Sequence, residues 1–129
     1  MIKSSEQLVQ EALAQVRTVS MDQALAMYKE RSVRLVDLRE PGERLRHGQI
    51  PGAFHAPRGL VEFWFDSTPG LGKPELTETG TTYLLFCAAG WRSALAAKSL
   101  QDMGVPYVCH MEGGFEAWVA AGGAATQGE

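Results

Sequence analysis

Three β-branched, apolar runs set among stretches of helical periodicity constrain this chain more than any other feature. "VRLVDLR" (residues 33–39), "TTYLLF" (81–86) and "PYVCHM" (106–111) read as strands. "VRTVS" (16–20) and "AFHA" (53–56) fit two shorter ones. Helical spacing surrounds them. A first helix over about 4–16 carries Leu8, Val9, Ala12, Leu13 and Val16 on one face. A second opens on the capping-box pair Ser20 and Gln23 and carries Met21, Ala24, Leu25 and Tyr28. Gly59 to Phe65 reads as a short helix. A longer one begins near Ser93, with Leu95, Ala96, Leu100 and Met103, before Gly104 and Pro106 stop it. A last helix uses Phe115, Trp118 and Val119, and a tail of about 123–129 has little to bury and is expected to be loose. Strands alternating with helices point to an α/β domain with a mostly parallel sheet, in which ligands bind beyond the carboxyl ends of the strands.

Length and charge narrow the function classes. At 129 residues the chain reads as a single domain over 1–129, large enough to bury a core. A formal charge of −3 gives no reason to expect nucleic acid or an anionic membrane as partner. No apolar run reaches the ~18 residues of a membrane span. The opening "MIKSSEQLVQEALAQV" is amphipathic, unlike the charged head and apolar centre of a signal peptide. Two cysteines, Cys87 and Cys109, make no disulfide framework, so a reducing cytoplasm is the expected location.

Cys87 stands where chemistry is expected, after the strand "TTYLLF" and before a helix. Ala88, Ala89 and Gly90 leave the backbone accessible, so the N–H groups of the loop can turn inward. Free N–H groups at a helix amino terminus favour an anion, and Arg92 adds a permanent positive charge. This arrangement suits a thiolate, a persulfide or an oxyanion beside it. The alternative is a core cysteine at a strand end.

The residues on either side carry a resemblance. "CAAGWRSALAAKSLQDMGV" resembles the active-site loop and following helix of single-domain rhodaneses, the thiosulfate sulfurtransferases. "VDLREPGERLRHGQIPGAFHAPRG" is similar to the family's Asp-x-Arg strand end and Ile-Pro-Gly-Ala turn. "HMEGGFEAWVAAGG" is similar to its carboxyl-terminal Glu-Gly-Gly-aromatic-x-x-Trp segment. The three stand in the family's order and cover most of residues 33–123. The resemblance implies a rhodanese-like α/β fold, with a five-stranded, mostly parallel sheet flanked by helices on both faces. It also implies catalysis by Cys87, which would accept a sulfane sulfur as a persulfide and pass it to cyanide or a thiol. The loop from Ala88 through Ala89, Gly90, Trp91 and Arg92 to Ser93 would cradle the outer sulfur and bind the donor. No cofactor and no metal are implied. The expected partners are thiosulfate or a low-molecular-weight persulfide, a thiol or cyanide acceptor, and a protein sulfur donor or acceptor as a further option. Two departures stand out. Gln49 replaces the histidine that many members carry before the Ile-Pro-Gly turn, and Ala88 and Ala89 stand where thiosulfate-preferring members often carry polar or charged residues.

Other candidates have plainer readings. Asp37 and Arg39, at a strand's carboxyl end, either orient the Cys87 loop or form a structural ion pair. Arg58 is the basic residue of the 29–58 segment expected nearest the site. Cys109, inside an apolar strand, reads as core. His47, His55 and His110 have no metal-ligand spacing. Gly113 and Gly114 suit a tight strand-to-helix turn. Three function classes follow: a sulfane-sulfur transferase or carrier, a cysteine-dependent phosphatase or arsenate reductase of related fold, and a non-catalytic interaction module. Related phosphatases place five residues between cysteine and arginine, whereas this loop has four: Ala88, Ala89, Gly90 and Trp91.

Overall fold

A computed structural model describes residues 1–127. In chain order it contains α1 (Ser5–Leu13), β1 (Thr18–Val19), α2 (Met21–Met27), β2 (Val33–Asp37), α3 (Pro41–His47), β3 (Phe54–His55), α4 (Val61–Trp64), β4 (Thr82–Phe86), α5 (Trp91–Met103), β5 (Val108–Met111) and α6 (Gly114–Ala120). A 3-10 turn at Arg58–Leu60 leads into α4, and another lies at Pro74–Leu76. The five strands form one sheet in the order β1-β5-β4-β2-β3, with every pairing parallel. The chain goes from β2 outward to β3, then returns to place β4 on the other side of β2. The carboxyl end of the central strand β4 therefore lies at a topological switch point, where open α/β sheets form their crevices.

Alternation along the strands builds two cores. On β4, Leu84 and Phe86 point to one face, while Tyr83, Leu85 and the following Cys87 point to the other. The first face is covered by α2 and α6 through Ala24, Met27, Phe115 and Trp118. The second is covered by α4 and α5 through Val61, Ala96, Ala97 and Leu100. Alanines on the inner side of α5 let it lie close to the sheet, and Ala94 receives Val9 and Ala12 of α1.

The strands and capping signals fall where the sequence puts them. The capping box at Ser20 and Gln23 is formed, and Ser4 caps α1. Several local expectations are corrected. α1 ends at Leu13, and Leu8 is exposed, because the helix rests on α5 through a narrow Val9–Ala12 face. Val119 and Met103 are exposed as well. The seven-residue α6 buries one i, i+3 pair, Phe115 and Trp118, and Met103 sits in the last turn of α5. α3 is a helix that the apolar pattern does not announce, since none of its residues is buried. Its only signals are polar: Pro41 in the first turn, and Glu43 accepting the Glu40 N–H at 3.0 Å.

The segment after Gly122, expected to be loose, makes specific contacts as far as Thr126. Ala124 accepts from the Trp118 indole at 2.8 Å, and Thr126 pairs antiparallel with Gln49. Gly128 and Glu129, the end of that expected tail, lie outside the described residues.

Candidate active site

Cys87 follows the last residue of β4 and is 1% exposed. Its carbonyl accepts from the Phe115 N–H at 2.8 Å, and that of Ala88 accepts from the Glu116 N–H at 3.1 Å. The first turn of α6 thus holds both carbonyls. In trans peptides the N–H lies opposite the C=O, so the amides of Ala88 and Ala89 face away from α6. The loop then turns at Gly90, whose φ of +109° favours glycine. This turn starts α5 at Trp91, two residues before the expected start, and brings Ser93 into its first turn.

Two backbone donors converge on sulfur as a result. The Gly90 N–H lies 3.2 Å from Cys87 Sγ and the Ser93 N–H 3.4 Å from it. The first four N–H groups of a helix have no partner within it, so here the sulfur serves as one. Of the residues from Ala88 to Ser93 expected to form the cradle, Gly90 and Ser93 have their N–H groups at Sγ. Trp91 is half exposed at the lip of the loop.

Arg92 does not stand free. Its guanidinium makes a two-pronged pair with Glu43 of α3, with N–O distances of 2.7 and 2.8 Å. Glu43 is held from behind by the Glu40 N–H, so α3 presents its carboxylate ready-oriented. The hydrogen bonds from Arg92 lower the Glu43 carboxyl to about 2. Glu43 in turn raises the Arg92 guanidinium above its ordinary value, with a smaller contribution from the neighbouring Cys87.

The remaining sequence candidates are engaged by partners of their own. Asp37 and Arg39 are fully buried and form an ion pair with N–O distances of 3.0 and 2.8 Å. Arg39 also donates to Gly48 O at 2.9 Å and lies over the Phe115 ring, 4.0 Å from its centroid. Their contacts tie β2 to the turn before Ile50 and to α6, and none reaches the 87–93 loop, so of the two readings the structural ion pair is the one formed. Arg58, expected near the site, has a partner on its own segment. Its guanidinium pairs with Glu62 at 3.0 Å, one helical turn along its own segment. Cys109 is buried in β5 with its thiol directed at Tyr83 O, and burial pushes that thiol up. His55 bonds the Arg39 carbonyl. The site of the missing family histidine is also filled: Gln49 bonds the Arg44 side chain and pairs with Thr126. Gly113 and Gly114 both have positive φ, and a Cβ on Gly114 would stand 2.5 Å from Cys87 O and 2.7 Å from Ala88 O. The tight turn is therefore required by the active loop itself.

Sequence reasoning missed two residues. Glu43 carries no mark of a partner 49 positions away, and only its place three residues after Glu40 hints that its orientation is fixed. His110 is 1% exposed and bonded to Ser93 Oγ at 2.9 Å. A histidine between Cys109 and Met111 in an apolar strand is the signal that pointed to it.

Comparison with known proteins agrees with this architecture. A family model for the rhodanese-like domain matches residues 20–121. A solved structure from Rhodopseudomonas palustris, described as a protein of unknown function and possible tyrosine phosphatase, is 41% identical. The match covers 98% of this chain and 96% of that one, with a TM-score of 0.91. The polysulfide-sulfur transferase homodimer of Wolinella succinogenes is 25% identical over 93% of this chain and 85% of that one, with a TM-score of 0.70. A thiosulfate sulfurtransferase from Pseudomonas aeruginosa is similar in fold. It is 23% identical over 89% of this chain and 20% of its own length, with a TM-score of 0.66. With the family model spanning most of its length, and sheet, loop and turn in the matching order, the chain belongs to the rhodanese-like domain family.

Proposed function

We propose that this protein is a sulfurtransferase that carries sulfane sulfur as a persulfide on Cys87. The observation that carries the reading is the pair of N–H groups, from Gly90 and Ser93, aimed at Cys87 Sγ beyond the central strand. With thiosulfate, the Cys87 thiolate attacks the outer sulfur. A Cys–S–S bond forms, the S–S bond of thiosulfate breaks, and sulfite leaves with the electron pair. The terminal sulfur keeps the negative charge, and the fixed amide dipoles of the loop stabilise it without reorganising. Cyanide or a thiolate then attacks that sulfur and returns the cysteine thiolate.

The Arg92–Glu43 pair bears on the donor. A guanidinium already bonded to a carboxylate offers less attraction to a dianion such as thiosulfate. With Ala88 and Ala89 adding neither charge nor bulk, a larger organic persulfide, whose carboxylates lie away from the reacting sulfur, is the better-matched donor. We therefore expect a higher kcat/KM with glutathione persulfide than with thiosulfate.

The relative described as a possible tyrosine phosphatase favours a second reading, phosphoryl transfer at the same cysteine. Against it stand the four-residue spacing to Arg92 and the engagement of Arg92 by Glu43. The loop also offers no acid for a leaving group beyond Ser93, a poor one. Parallel assays separate the two. Sulfur transfer to cyanide should proceed in the wild type, vanish in Cys87→Ser and persist in Cys109→Ser, with no hydrolysis of para-nitrophenyl phosphate. Phosphatase turnover that disappears in Cys87→Ser, with no sulfur transfer, would install the second reading.

A further inference from the structure

His110 is a buried imidazole that the sulfur chemistry above does not use. It projects from β5 between two hydroxyls: Thr18 Oγ1 of β1 lies 2.8 Å from Nε2, and Ser93 Oγ of α5 lies 2.9 Å from Nδ1. Ser93 Oγ also lies 3.3 Å from the Gly90 carbonyl oxygen. Burial pushes His110 down to about 4, so the ring is neutral, with one nitrogen donating and the other accepting. In either tautomer His110 bonds both hydroxyls: Nδ1 donates to Ser93 Oγ while Nε2 accepts from Thr18, or the roles reverse. A continuous chain runs from Thr18 through His110 to Ser93, and Ser93 Oγ lies within reach of the Gly90 carbonyl.

Ser93 and Gly90 are the residues whose amides meet Cys87 Sγ. Gly90 supplies the left-handed turn that starts α5, but it has no side chain to cap the helix. Ser93, fixed by His110, holds that turn from inside. We propose that His110 is a positioning residue for Cys87: it anchors Ser93, and through it Gly90, so that both backbone N–H groups stay aimed at the sulfur. Its value to turnover rests on the sulfur-transfer reading, but its effect on the thiol does not.

The test reads the thiol itself. The rate of Cys87 alkylation by iodoacetamide near pH 7, divided by the rate near pH 10, reports thiolate stabilisation and cancels simple accessibility. Measured in a Cys109→Ser background, His110→Leu should lower this ratio about fivefold, the worth of one aligned hydrogen bond. His110→Asn keeps a side-chain donor and acceptor beside Ser93 Oγ and should stay within about twofold of the parent. Ser93→Ala should match His110→Leu, and the double variant should fall no further, since both remove the same link. A His110→Leu ratio equal to the parent's, or a His110→Asn ratio as low as that of His110→Leu, would overturn the proposal. Should His110→Leu fail to fold, Ser93→Ala and Thr18→Val decide, and a parental ratio in both would overturn it equally. A parent that accepts no sulfur from any donor would remove the proposed function, while the alkylation ratios would still judge His110.

Discussion

Arg92 and Glu43 show how a residue read correctly for its charge can be misread for its use. Arg92 was visible as the only cation of the loop. Its partner was not, because a single sequence holds no trace of a contact across 49 residues. The pair makes a pH prediction. Glu43 lies at about 2 against an ordinary 4.5, a depressed carboxyl, so its contribution to stability is complete above about 4.5 and is lost as pH falls toward 2. Arg92 is about a third exposed, so solvent screening keeps this contribution modest. Glu43→Gln should therefore show a shallower fall in Tm than the wild type between pH 5 and 2, with the two curves converging at the acid end. Parallel curves across that window would mean that the pair adds nothing. The same variant releases the guanidinium, so the KM for thiosulfate should drop relative to that for glutathione persulfide, most clearly at low salt.

Among the elements, α6 does more than cover a sheet face. The N–H groups of Phe115 and Glu116 in its first turn take the carbonyls of Cys87 and Ala88, which obliges Gly114 to pass within van der Waals reach of both. Gly114→Ala would bring a Cβ to 2.5 Å from Cys87 O at a φ of +63°. We expect a loss of about 1–3 kcal/mol in urea unfolding. A disproportionate fall in Cys87 alkylation near neutral pH should accompany it, because displacing the Cys87 and Ala88 carbonyls shifts the loop that leads into the Gly90 turn. An alanine variant with unchanged stability and alkylation would show that the turn has slack. The double glycine was legible in the sequence as a turn, though what it approaches was not. The strands were legible for a physical reason: burial on both faces leaves continuous apolar runs. α3 was not, because a helix with no buried residue has no apolar period to read. α5 starts two residues before the Ser93 that the sequence pattern predicts, since Gly90 caps by its backbone conformation and offers no capping side chain to recognise.

Taken as one body, the fold joins its carboxyl-terminal segment to the turn before Ile50. Trp118, fully buried against Tyr28 at a ring-centroid distance of 5.2 Å, sends its indole N–H to Ala124 O. Thr126 exchanges two backbone hydrogen bonds with Gln49, at 2.8 and 3.1 Å. Composition suggests a tail with nothing to bury, and the side chains of residues 124–127 are exposed. Its backbone is what binds. A chain ending at Gly123 leaves the indole N–H without its acceptor and should lose about 1–3 kcal/mol, readable as a drop of several degrees in Tm. Cys87 chemistry should persist at lower temperature, since no hydrogen bond from residues 124–127 reaches the 87–93 loop. An unchanged Tm would show that water replaces the tail at no cost.

The sulfur-carrying role of Cys87 is decided by intact mass. After brief exposure to thiosulfate or glutathione persulfide and removal of the donor, the wild type should gain about 32 Da, one sulfur, and lose it on addition of cyanide or dithiothreitol. Cys109→Ser should gain the same mass and Cys87→Ser none. No gain in the wild type with either donor, or an equal gain in Cys87→Ser, would contradict the assignment of the persulfide to this site.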